Sequence, residues 1–205
     1  MKAIALCCLL SFLLPILAHA DDTVVAEYRG TTVTRAELGD SPGDVLREKV
    51  IYPAIRDYLL ANRSQWQPDA ATVDRAIAAY RQSRACANPS APPESAETER
   101  YVATALLTTV SAQGWLHRRF GGGRLLFQQS GVEAFDATYR LLHQLQAEGA
   151  FRIHDPGLLT VAYEYWRRDH GPALLPASQA AVAFDPARLF ASCEEIQRAG
   201  ATPQR

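Results

Sequence analysis

Few residues of this chain are of a type and spacing that could do chemistry. Cys7 and Cys8 lie in the first apolar run, which leaves Cys86 and Cys193 as the thiols of the remaining chain. Catalytic dithiols sit close together, as in Cys-x-x-Cys, and these two do not, so a structural disulfide is the expected chemistry. In the chain-entropy account, closing a loop of about 100 residues stabilises by up to roughly 4.7 kcal/mol. A second cluster is Trp115, His117, Arg118 and Arg119, followed by Gly121-Gly122-Gly123-Arg124. Arginines beside a glycine run suggest an anion cradle, yet a phosphate loop follows a strand and opens a helix, and here the expected order is reversed. A helix stop is therefore the first expectation. Trp115, His117, Arg118, Arg119 and Arg124 stand behind it as a candidate anion or ligand patch for an extended peptide or a cell-wall fragment.

Other reactive types are dispersed. His117, His143, His154 and His170 never fall three or four apart, and no Cys-His cluster or H-E-x-x-H exists, so no metal or other cofactor is expected. There is no Gly-x-Ser-x-Gly elbow. Ser130 and Glu133 have the spacing of a capping box, and Glu133 and Asp136 read as first-turn acids that suit a helix dipole. Glu194 and Glu195 are adjacent and point to different places. Tyr163 and Trp166 share a helical face and read as core, whereas Tyr165 reads as the more exposed aromatic. No catalytic residue is nominated, and the sequence leans away from an enzyme.

The elements that must position these residues begin after an apparent address. Lys2, an apolar run from Ala3 to Leu17 and Ala18-His19-Ala20 have the form of a signal peptide over residues 1–20, cleaved before Asp21. A periplasmic or secreted protein is expected, in a compartment that permits disulfides. No later segment is long and apolar enough to cross a bilayer. With 21 basic and 22 acidic residues the net charge is −1, which gives no reason to expect nucleic acid.

A hydrophobic content of 48% against 21% charged residues excludes wholesale disorder. The patterning predicts a mainly α fold: a compact helical domain over residues 21–205 with a minor two- or three-stranded β element. Strands are expected at 24–28, at Thr32-Val33 and at 150–153, with the first and last paired. Leu46, Val50, Ala54 and Tyr58 predict a helix over 44–62 that Pro53 kinks or breaks. Helices are further expected from Pro68 to Cys86 and from Ser95 to about His117, the latter with Tyr101, Val102, Ala105, Leu106, Val110 and Leu116 inward. Three prolines place a loop at 88–93. An extended segment at 125–129 precedes a helix from Ser130 to Glu148. Asp155-Pro156 and Asp185-Pro186 each read as a helix start.

The stretch Val25-Ala26-Glu27-Tyr28-Arg29-Gly30-Thr31-Thr32-Val33-Thr34-Arg35-Ala36-Glu37-Leu38 resembles the opening of SurA-type periplasmic chaperones and related peptidyl-prolyl isomerases. There a strand, an Asn-Gly turn, a second strand and an Ile-Thr helix start introduce a helical chaperone core. Arg29 replaces the Asn of that turn, and no parvulin segment follows. The resemblance implies the helical, client-holding part without the isomerase. The sequence thus points to an envelope protein that binds a polypeptide client or another envelope component non-covalently, chaperone-like or as an adaptor. The alternatives are an inhibitor or immunity-type protein against an exported enzyme, and an envelope hydrolase with a dispersed site.

Overall fold

In the computed structural model, residues 22–128 and 131–201 are described, without the side chains of 199–201. The expected leader at 1–20 lies outside these residues. Helices dominate, and two small antiparallel sheets of three strands each complete the fold.

The first sheet forms where alternation is clearest. Strand β1 (Val24–Tyr28) pairs with β2 (Thr31–Thr34) through a tight turn in which Arg29 and Gly30 both adopt positive φ, 46° and 80°. Two such residues in succession match the right-handed twist of the flanking strands, and Arg29 accepts a conformation that Asn or Gly favours. Val25, Ala26, Tyr28 and Val33 are buried. β5 (Arg152–Ile153) adds to the other edge of β1, with Ala26 opposite Ile153, so the expected pairing between early and late segments is present.

Helix α1 (Pro42–Leu46), a π-helical turn (Arg47–Ile51) and α2 (Tyr52–Ala61) follow without a break. Pro53 offers no backbone donor, and the wider turn just before it accommodates the missing bond without ending the helix. Leu46, Val50, Ile51 and Ala54 are buried, as their spacing requires. Asp69 caps α3 (Ala70–Ala87) by accepting from the Thr72 amide at 2.7 Å, so Pro68 sits just ahead of the cap.

Ser95 caps α4 (Ala96–Arg119). Its buried stripe matches the expected one at Val110 and Leu116 but differs in the first half of the helix, where Ala103 and Leu107 are inside, Ala105 is exposed and Tyr101 is 74% exposed. The shift comes from Glu99, a charged residue that is buried because Arg81 of α3 donates to it at 2.6 and 2.9 Å. An apolar pattern cannot register a carboxylate that carries its own partner.

The second sheet joins β3 (Leu125–Gln128) to β4 (Gly131–Glu133) and to β6 (Leu174–Leu175). Here the sequence expectation is corrected. Ser130 lies outside the described residues, but Glu133 is in a strand, and α5 begins only at Phe135 (Phe135–Ala147). No side chain caps α5, and Gln113 of α4 holds the residue before it, its Oε1 accepting from the Ala134 amide at 2.8 Å.

Asp155 caps α6 (Pro156–Arg167) as expected, accepting from Gly157 and Leu158. Asp185-Pro186 opens only a 3-10 turn (Pro186–Arg188) after the short α7 (Ala180–Ala183). The last helix, α8 (Cys193–Ala201), has its own capping box: Ser192 N donates to Glu195 Oε2 at 2.8 Å, and Glu195 N to Ser192 Oγ at 3.2 Å. A reciprocal box overrides a lone Asp-Pro start, which is why the helix begins late. Cys86 and Cys193 form a disulfide with Cα atoms 5.4 Å apart. It ties α8 to the end of α3, and the Tyr80 and Phe190 rings pack 5.3 Å apart beside it. One continuous core runs from Val25 and Leu46 through Leu125 and Phe135 to Trp166 and Phe184. Among the described residues no helix is long and apolar enough to cross a membrane.

Candidate functional site

The second sheet turns polar residues inward. In the β3–β4 hairpin Leu126 faces Glu133 and Gln128 faces Gly131, so Gln128 and Glu133 share one side of the ribbon. That side meets Thr109 and Gln113 of α4, Thr138 of α5, Tyr165 and Trp166 of α6, and Tyr52 of α2 around a cavity of about 220 Å³.

Glu133 is its centre. Trp166 Nε1 donates to Oε1 at 2.8 Å, Tyr165 OH donates to Oε2 at 3.0 Å, and Gln128 Nε2 donates to Oε2 at 2.8 Å. Gln128 Nε2 also donates to the Tyr165 oxygen at 2.6 Å, which closes a small network. Burial raises the Glu133 carboxyl above the ordinary glutamate range, and these hydrogen bonds and His170 offset it only in part. The remaining accessibility of this side chain faces the cavity. The Tyr165 phenol is raised as well, by burial first and then by the Glu133 charge. Tyr52, raised by burial, is 45% exposed and stands at the rim, its ring edge-on to Trp166 at 6.1 Å. The Thr138 hydroxyl is buried without a hydrogen-bond partner.

A second cleft lies beyond the Tyr165 ring, lined by Arg47, Glu164 and Arg168. Arg47 and Arg168 stand 5.8 and 5.7 Å from that ring. Arg47 is paired with Asp44 and also donates to the Ala162 carbonyl. His170 Nε2 lies 2.8 Å from the Tyr165 carbonyl oxygen, with its ring edge-on to Phe135 at 5.2 Å. These contacts fix Tyr165 from behind. Chemically, the arrangement can hold or release a proton at Glu133 and can accept hydrogen bonds from a group that enters the cavity.

The residues singled out from sequence lie elsewhere. Trp115 is buried against Tyr58, ring centroids 6.0 Å apart. His117 Nε2 is 3.2 Å from the Gly123 carbonyl oxygen, and its ring lies 5.5 Å from Phe184. Arg124 pairs with Asp136 at 2.9 Å. Arg118 and Arg119 are exposed at the end of α4, with no acidic partner among the described residues. The glycine run has φ of 74°, 72° and 110°. Arg140 Nη1 donates to the Phe120 and Gly122 carbonyls at 2.6 and 2.8 Å. A helix stop with its carbonyls collected by one guanidinium accounts for the loop. Among the described residues no three His, Cys, Asp or Glu side chains gather as a metal site.

Sequence reasoning missed Tyr52, Gln113, Gln128 and Glu133 as a group. The usable signal was alternation at Leu126 and Gln128 followed by Gly131, which reads as a hairpin; the capping spacing at Glu133 concealed it. Tyr163 and Trp166 are buried as expected, and Tyr165 is half-buried. Compared with protein-family models, curated proteins and solved structures, the chain finds no match.

Proposed function

We propose that this is an exported, polypeptide-binding protein of the cell envelope that captures its client without turning it over, as a chaperone-like factor or an adaptor. The observation that carries the reading is the Glu133 cavity: open to solvent, walled by Tyr52, Tyr165 and Trp166, and furnished with polar groups that can receive part of a chain. An exposed tyrosine over a partly polar recess suits reversible recognition, because the ring supplies contact area while the polar groups fix orientation. The leader-like residues 1–20, the Cys86–Cys193 disulfide and the likeness of residues 25–38 to SurA-type chaperones support the same reading.

The test is suppression of aggregation of an unfolded outer-membrane protein by the chain purified from its export compartment. Suppression that saturates near stoichiometric amounts is expected. Unchanged aggregation, together with no polypeptide enriched from envelope extract, overturns the reading. A second reading, an envelope hydrolase with a dispersed site, is favoured by one observation: the raised Glu133 carboxyl, which has the character of a general acid. Turnover of envelope substrates that is lost in Glu133→Gln would select it instead.

A further inference from the structure

The polar groups that line the Glu133 cavity are only partly committed to one another. The Trp166 N–H, the Tyr165 hydroxyl hydrogen and both Gln128 amide hydrogens are already occupied within the network. Thr109 gives its hydroxyl hydrogen to the Ala105 carbonyl at 3.1 Å. Acceptors are left over: Gln128 Oε1, the Thr109 oxygen and the free lone pair of Glu133 Oε1. Donors remain as well: the Gln113 amide, having used its oxygen on Ala134, the buried Thr138 hydroxyl and the Tyr52 phenol at the rim. Among the described residues Glu133 is the only ionisable carboxylate that lines the cavity, and three aromatic rings flank it.

We propose that this cavity seats an ammonium-bearing side chain of the client, of the lysine type. The cation would meet Glu133 and the surplus acceptors, its aliphatic stem would lie against Tyr52, Tyr165 and Trp166, and the Gln113 amide would receive a neighbouring backbone carbonyl. An anion is disfavoured, because Glu133 lines the cavity, whereas Arg168 lines only the cleft beyond Tyr165 and Arg47 reaches Tyr52 at the rim without lining the cavity. His170 is likewise engaged with the Tyr165 carbonyl. An uncharged apolar side chain would strand the acceptors and desolvate the Glu133 carboxylate with no counter-charge beside it.

This inference rests on the polypeptide-binding reading, and one titration separates the two. The probes are Ala-Lys-Ala, Ala-norleucine-Ala and Ala-Glu-Ala, each N-acetylated and C-amidated, plus free Ala-Ala-Ala to report an N-terminal ammonium. Binding is followed by two-dimensional NMR of the full exported chain. The lysine peptide is expected to bind at least about tenfold more tightly than the norleucine peptide, equivalent to about 1.4 kcal/mol. That preference should fall to about twofold or less in Glu133→Gln and weaken in Tyr52→Ala, which removes a rim residue and leaves the core intact. Equal affinity for lysine and norleucine, or a lysine preference that persists in a folded Glu133→Gln protein, overturns the inference. A stronger response to free Ala-Ala-Ala than to the capped lysine peptide also overturns it, in favour of an N-terminal amine. If aggregation suppression holds while the lysine preference is absent, only the occupant is wrong. If both are absent, the polypeptide reading fails as well.

Discussion

The two sheets have the same number of strands and the same antiparallel pairing, yet they treat polar groups in opposite ways. In the β2-β1-β5 sheet the interior is apolar, and the polar groups are resolved at the margin. Tyr28 OH donates to Asp57 at 2.5 Å, Arg29 pairs with the same carboxylate at 2.6 Å, and Glu37 is held down to about 2 by Lys49 and the Thr34 amide. In the β4-β3-β6 sheet a carboxyl is drawn inward to line an open cavity. A half-buried carboxyl with a raised proton affinity beside an open cavity is a poor way to stabilise a small sheet. The contrast separates a sheet that closes the fold from one that shapes a site.

The contrast can be broken most severely in the first sheet. Phe151, 2% exposed and directly before β5, should cost about 3–5 kcal/mol when replaced by alanine, measured by denaturant unfolding. A loss below about 1 kcal/mol would show that this sheet is not where the fold is closed. Next in size is Cys86→Ser, which removes the tie between α3 and α8 and should cost about 2–4 kcal/mol. Because the bond joins α3 to α8, away from the residues that line the Glu133 cavity, the variant should keep the peptide response if it remains folded. Gly123→Ala follows. Its φ of 110° and an added Cβ only 2.5 Å from Asp136 Cβ predict a cost of about 1–3 kcal/mol, transmitted to the Arg124–Asp136 pair at the start of α5. Tyr28→Phe deletes the hydrogen bond to Asp57 and should lower the unfolding midpoint by about 2–4 °C.

The smallest effect is the most specific to the second sheet. The folded state binds the Glu133 proton more tightly than the unfolded chain does. The stability linked to that proton is fully present below the unfolded value of about 4.3 and is lost as pH rises through the raised folded value. Glu133→Gln carries no such titration. Its stability relative to the native chain should therefore improve as pH rises over that interval, as read from paired unfolding curves. A difference that stays constant with pH would place the Glu133 carboxyl in an ordinary environment.

The sequence made the first sheet legible because its signals are local: alternation at Val25 to Tyr28, and a turn at Arg29-Gly30. The disulfide was readable by elimination, since Cys86 and Cys193 are the thiols that remain after the leader-like segment. The Pro53 distortion and the Ser95 and Asp155 caps were readable for the same local reason. The Glu133 site was hidden because each of its members has an innocent local explanation. Glu133 sits at capping distance from Ser130, Trp166 falls on an apolar stripe, and Gln113 and Thr109 look like ordinary helix-surface residues. Their convergence depends on α2, α4 and α6 meeting a short hairpin, and no periodicity encodes that. The Arg81–Glu99 pair misled the reading of α4 in the same way, because burial there follows a tertiary partner.

The central claim is that the second sheet keeps one carboxyl half-buried, hydrogen-bonded and reachable. It is tested most directly by titrating the side-chain carboxyl carbon of Glu133 by NMR, with the assignment made from Glu133→Gln. The account predicts a midpoint above the ordinary glutamate value of about 4.3 and a further change in the Glu133 signal when the capped lysine peptide is added. A midpoint at or below that value, with no response to the peptide, would contradict it.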